Sequence, residues 1–221
     1  MKKFVFTIIL IGLSLVANAQ YANKDGNRIG ITLGVTQMSL TTNNFKTKPE
    51  LGWVGGLAVR GNYYNDFSMI FGMQFTESNF TVETKPLISS KTEDVKYTLA
   101  GVQVRLLLSY NIVKDHVSLD FGPILQVNGK LRADSKYENN IISGTKDLFV
   151  NDILDVTKFN GNFYAGISAG NKRIRAIVCY QYGINNFLNN LNKKEELKIA
   201  NNNSEFKGHL GIISGQLLFN L

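Results

Sequence analysis

Phe67-Ser68-Met69-Ile70-Phe71-Gly72-Met73-Gln74-Phe75-Thr76 sets Phe67, Met69, Phe71, Met73 and Phe75 against Ser68, Gly72, Gln74 and Thr76. Successive side chains of a strand point to opposite faces, so this stretch predicts a strand with one bulky apolar face and one small, polar face. Asn65-Asp66, just before it, has hairpin composition. It joins the stretch to a second run, roughly 51–64, in which Trp53, Leu57, Val59 and Tyr63 oppose Arg60 and Asn62.

Outward from this hairpin the same period recurs. Ile29, Ile31, Leu33 and Val35 alternate with Gly30, Thr32, Gly34 and Thr36. Around 96–110, Val102, Val104, Leu106, Leu108 and Tyr110 oppose Gln103, Arg105 and Ser109. Between His116 and Lys130, Val117, Leu119, Phe121, Leu125 and Val127 oppose Ser118, Asp120, Gln126 and Asn128. Three more runs lie near 159–170, 173–186 and 206–221, giving about eight strands.

The connectors alternate between short and long. Asn65-Asp66, Asn111 to Lys114 and Asn171-Lys172 are short, whereas 40–50, 83–95, 131–158 and 187–205 are longer and rich in Asn, Lys, Ser and Thr. In a soluble barrel or sandwich the apolar face would turn inward. Here the apolar faces are large on nearly every strand, and the opposite faces are crowded with glycine, which suits a narrow interior. Aromatics such as Trp53, Tyr63, Tyr110, Tyr180 and Tyr182 lie towards strand ends, where membrane interfaces hold them. The expectation is an all-β, eight-stranded, antiparallel up-and-down transmembrane β-barrel. Its strands would run about 10–14 residues, with short periplasmic turns and long extracellular loops. Within 131–158, the pairs Phe149/Ile153 and Val150/Leu154 predict a short helix capped by Asp147, either a lid or a loop-stabilising cluster.

The N-terminus is read separately. Lys2 and Lys3, the apolar run Phe4 to Val16 and Ala17-Asn18-Ala19 form a secretory signal. An uncleaved anchor would need about 20 apolar residues. Residues 1–19 are therefore expected to be removed between Ala19 and Gln20, leaving 20–221 as the barrel domain of a cell-outer-membrane protein. Gln20 in place of cysteine excludes a lipoprotein.

The net charge of +7 falls by two with the signal. The lysines are scattered beside Asp and Glu rather than gathered into a stripe, which disfavours nucleic acid. Outer-membrane lipid and lipopolysaccharide are the expected surroundings. Cys179, the one cysteine, points inward by parity and can form no internal disulfide.

Parity also turns Arg60, Arg105, Asp120 and Arg175 inward, near the short-turn rim. Buried charges must be paired or solvated, so Asp120 should carry at least one arginine contact. The excess positive charge must be met by water, backbone carbonyls or an anion. The cluster is either a polar plug or an anion or partner-tail site open to the periplasm.

Signals for catalysis are sparse. Ser204 and Glu205 precede His209, but parity turns His209 to the lipid or rim side, and the other histidine, His116, sits near the periplasmic rim. No spaced metal ligands or phosphate-binding loop is present, so no enzyme activity and no cofactor is expected.

Tyr180-Gln181-Tyr182-Gly183-Ile184-Asn185-Asn186 is similar to the Tyr-x-Tyr-Gly-Leu-x-Asn ending of the penultimate strand in PorT-like outer-membrane barrels. Leu106 to Asn111 followed by Phe121-Gly122-Pro123 resembles the same family's aliphatic strand and Ala-Gly-Pro strand. The resemblance spans nearly the whole mature chain. It departs at Gly101 to Val104, where the family often has proline, and at Cys179, where it often has arginine. It implies an accessory role in protein secretion and an envelope partner. Leu217, Phe219 and Leu221 resemble the terminal signal read by the barrel-assembly machinery, although leucine rather than an aromatic is last. The remaining readings are a cell-surface binding or adhesion barrel, a narrow porin and an outer-leaflet lipid-modifying enzyme.

Overall fold

The computed structural model describes residues 28–64, 66–87 and 91–221. The signal segment, the Ala19-Gln20 junction and Asn65 lie outside the described residues. Eight long strands form the wall: β1(Arg28–Thr42), β2(Thr47–Tyr64), β3(Phe67–Lys85), β4(Glu93–Val113), β5(Val117–Asn128), β8(Phe159–Gly170), β9(Ile174–Gly183) and β10(Gly208–Asn220). Each pairs antiparallel with its neighbour, and β1 pairs with both β2 and β10, so the sheet closes on itself. Closure leaves no open edge, the condition for a sheet to cross a bilayer. Two-residue strands, β6(Arg132–Ala133) and β7(Ile141–Ile142), lie in the third long loop and add to the tops of β4 and β3.

The short turns share one rim. In the turn before β9, the Asn171 side-chain oxygen accepts from the backbone N–H groups of Arg173 and Ile174 at 2.8 and 2.9 Å, an Asx-type closure. The turn expected at 111–114 falls instead at 114–116. β4 runs on because the Asn111 N–H donates to the Asp66 carbonyl at 2.8 Å, and Asp115 takes the turn's positive φ of 64°.

Four strands exceed the expected span: β1 to β4 have 15, 18, 19 and 21 residues. The expected loop at 40–50 is mostly strand, with its tip at 43–46, and the one at 83–95 is strand at both ends, outside 86–92. The cause is visible along β3. Phe67 to Phe75 face outward on the odd positions, Phe71 being 53% exposed. Beyond Glu77 the polarity exchanges faces: Phe80 and Val82 point inward and are buried. β1 inverts in the same way between Val35 and Met38, and β4 between Val102 and Leu99. Below the inversion the wall is apolar outside and polar inside; above it the wall has the ordinary soluble arrangement. An outer surface carrying Leu33, Phe71, Leu125 and Val178 at 51–64% exposure is stable only against hydrocarbon. The inversion therefore marks the outer boundary of the bilayer. Trp53 pairs with Glu77 at that level, and Tyr110 packs on Phe67 near the other rim at 5.2 Å.

Above the boundary the inward residues meet the long loops. Met38, Leu40, Phe80, Val95, Tyr97 and Leu99 from the strands pack with Leu148, Val150, Ile153, Phe187, Leu191 and Phe206 from the loops in one buried cluster. The loops that composition marks as solvated are the second half of a hydrophobic core.

Candidate functional site: lumen and extracellular cap

From the short-turn rim upward, several wall strands show a related order of inward residues. β3 reads Ser68, Ile70, Gly72, Gln74; β5 reads Ser118, Asp120, Gly122, Ile124, Gln126; β9 reads Arg175, Ile177, Cys179, Gln181. The lumen is therefore stacked in levels: a charged level, an aliphatic level, an amide level and then the cap core.

In the charged level, Asp120 accepts from Ser109 at 2.5 Å and Ser118 at 3.1 Å, with the Arg60 guanidinium at 3.5 Å. Arg60 also donates to Ser109 at 2.8 Å. Arg175 does not reach the carboxylate. It donates to Ser118 and Ser168 hydroxyls at 3.2 and 3.0 Å and to the Asp115 and Ser168 carbonyls at 3.0 and 3.1 Å. Arg60, Asp120 and Arg175 thus share a serine-lined network, while Arg105 stands one level deeper. Its space comes from Gly72, where a Cβ would lie 2.7 Å from the Arg105 Nε. At the rim, Asp115 pairs with Arg28 at 2.6 Å and Lys172 at 3.5 Å. The Arg28 hydrogen bond, with the charges of Arg28 and Lys172, holds the Asp115 carboxyl below the usual carboxylate range.

The aliphatic level consists of Ala58, Ile70, Leu107, Ile124, Tyr164, Ile177, Cys179 and Leu218. Cys179 is buried beside Ser214 at 2.9 Å. Above it, Gln103 donates to Gln126 at 2.9 Å and Gln181 at 3.1 Å, and Gln74 donates to Thr32 and Gln216, both at 2.8 Å. Asn128, Asn160 and Asn162 join this belt. Side chains bonded across the lumen fill it, as an eight-stranded ring requires.

The motif ending β9 fastens the cap. Tyr180 and Tyr182 face outward, Gln181 inward. The Asn185 side chain accepts from the Gly161 N–H at 2.8 Å and donates to the Phe159 carbonyl at 3.0 Å. Asn186 accepts from the Gly208 and Leu188 N–H groups at 2.9 and 3.1 Å and donates to the Phe206 carbonyl at 2.7 Å. Where β9 stops at Gly183, the two asparagines tie β8 and β10 to the departing loop. Asn192 likewise accepts from and donates to the Phe206 backbone. Asparagines that suggested mere solvation act as backbone clasps, a use composition does not reveal.

The helix expected after Asp147 is a 3-10 turn, Val150–Ile153, and the residue bonding its start is Asp152, which accepts from the Phe149 N–H at 2.8 Å. Leu148, Val150 and Ile153 are fully buried, and the Tyr97 hydroxyl donates to the Val150 carbonyl at 3.0 Å. Burial pushes that phenol's pKa up. A short helix α1(Glu195–Ala200) adds Leu197 to the core. Between the β1–β2 tip, the top of β3 and Ser143-Gly144 lies an open groove of about 850 Å³. Lys46, Lys48, Glu83 and Lys85 line it; Lys46 lies 3.8 Å from Glu83.

His209 stacks on Tyr182 at 5.8 Å and its Nδ1 lies 3.0 Å from the Gly183 carbonyl, part of the aromatic band at the outer boundary. Ser204 and Glu205 are exposed on the cap. Leu217, Phe219 and Leu221 all face outward on the closing strand.

The model of the family described as outer membrane protein beta-barrel domain matches residues 18–189. No curated protein matches the chain. Among solved structures, the Neisserial surface protein A, NspA, is 11% identical over 89% of this chain and 99% of its own, with a TM-score of 0.49. Ail, the attachment invasion locus protein of Yersinia pestis, is 12% identical over the same shares, also at 0.49. OprG from Pseudomonas aeruginosa is 11% identical, covering 90% and 94%, at 0.41.

Proposed function

From the premise that this chain belongs to the family of outer membrane protein beta-barrel domains, we propose that it is a non-enzymatic cell-surface binding barrel. It lies in the outer membrane, and the cap would be its working face. The observation that carries this reading is the shared core of strand tops and long loops. A cap with its own buried core presents a fixed surface, and binding to a fixed surface avoids the ordering cost of a mobile loop. The lumen is spanned by bonded side chains at the amide level, which argues against a diffusion pore. The groove rim, with Lys46, Lys48, Glu83 and Lys85, suits a polar extracellular partner.

The narrower PorT-like reading, an accessory subunit of a secretion apparatus with an envelope partner, competes with this. The motif behind that resemblance is spent on clasping the cap through Asn185 and Asn186, a task any barrel with a folded cap needs. Its residues therefore favour shared architecture over shared cargo. The outward Leu217, Phe219 and Leu221 suit both lipid contact and recognition by the barrel-assembly machinery.

A photo-crosslinking residue at Lys46 or Lys85 in the groove, compared with one at Lys172 on the periplasmic turn, separates the two in native membranes. The surface reading expects adducts with extracellular material from the groove positions. Adducts with envelope proteins from Lys172 alone would overturn it in favour of the secretion reading.

A further inference from the structure

We propose that the lumen holds a structural binding site for one small monatomic anion of the chloride class, between Arg105 and Arg60. The site lies in the barrel's lower half and is independent of the cap's role. Arg105 is 2% exposed. Among the described residues no hydrogen bond or ion pair holds its guanidinium, and its Nε is buried without an acceptor. It faces a cavity of about 10 Å³, whose polar lining is Arg28, Arg60, Arg105, Asp120, Tyr164 and Asn220 within aliphatic walls.

The charge balance requires a counter-ion. Arginine stays protonated in proteins, so neutralising itself by losing a proton is closed to it. Among the described residues, Asp120 is the one carboxylate on this level, and Arg60 is its only guanidinium partner. Asp115 is already engaged by Arg28 and Lys172. The Nη groups of Arg175 donate to neutral hydroxyls and carbonyls, although its Nε has no acceptor, and these contacts solvate its charge without cancelling it. Two guanidinium charges therefore remain uncompensated inside a wall surrounded by lipid, a costly state unless paired.

Size selects the ligand. A cavity of about 10 Å³ has room for roughly one water-sized species. That excludes phosphate, a carboxylate-bearing metabolite or a protein tail. Water in the same space would hydrogen-bond Arg105 but leave the charge standing. A halide is compact and matches the weakly hydrated guanidinium. Gly72 shapes the site, because any side chain there would push Arg105 out of place.

The test uses the full mature barrel refolded in micelles, with sodium chloride replaced stepwise by sodium gluconate at constant ionic strength. The urea midpoint of unfolding should rise with chloride and saturate as one site does. Bromide should replace chloride. Arg105→Met should abolish the dependence, and Arg105→Lys should keep it. A wild-type midpoint unmoved by the exchange overturns the proposal even if the methionine variant fails to fold. A dependence that survives unchanged in Arg105→Met overturns it as well. In crystals grown with bromide, an anomalous peak beside Arg105 is expected; bromide confined to the outer surface contradicts the site.

Discussion

Asp120 is the residue on which the lower lumen turns. It is buried and accepts from two serines and Arg60, so Asp120→Ala leaves Arg60 and Arg175 with no carboxylate on their level. The expected loss is about 3–5 kcal/mol of folding stability, the usual cost of stripping one partner from a buried pair, read as a lower urea midpoint for the heat-modifiable folded band. Asn186 plays the corresponding part at the top. Asn186→Ala removes side-chain bonds to Gly208, Leu188 and Phe206 and should cost about 2 kcal/mol. Its signature is faster protease cleavage within 187–207 with the barrel still closed. Asp115 sets the acid response of the rim. Its folded-state pKa is depressed by Arg28 and Lys172, so its stabilisation is fully present above the unfolded value of about 3.9. It is lost as pH falls through the lower folded value. Asp115→Asn should therefore lower stability near neutrality and flatten its fall in that acid window, matching the wild type only below the folded value.

At the scale of elements, alternation made the membrane-spanning parts of all eight strands legible, because an apolar–polar period of two is written directly into each. Phe67 to Thr76 needs no more than its own residues. The upper halves of β1 to β4 were not legible in the same way. There Met38, Leu40, Phe80, Val82, Tyr97 and Leu99 keep the period but exchange faces, and a segment whose outward residues are Lys48, Asp94 and Lys96 reads as loop. The inward parity of Arg60, Arg105, Asp120 and Arg175 followed from the strands, but which of them touch did not. Contact depends on the stagger between strands, which sets Arg175 among serines and Arg105 opposite Gly72. The 3-10 turn at Val150–Ile153 offers a test of the cap as a separate layer. Ile153→Asp places an unpaired carboxylate in the cap core. It should expose 131–158 to protease while the strands below the boundary still give the heat-modifiable band.

For the whole molecule, the order of levels explains why one chain can be closed and still useful. Charge at the periplasmic rim, aliphatic packing, an amide belt and a hydrophobic cap core together fill the ring from end to end. Planar bilayers containing the barrel should show no steady conductance, and a stable open level would mean that the amide belt does not span the lumen. What remains available is the outside of the cap, whose proposed use as a binding face depends on its being folded. Hydrogen exchange of the barrel in lipid nanodiscs tests this most directly. The amides of Ile142, Val150, Thr157, Phe187 and Leu191 are bonded to carbonyls within the cap or at its base, and they should be protected on the timescale of the transmembrane strands. Exchange of those amides within seconds, as in an unstructured peptide, would contradict the folded cap and the surface function built on it.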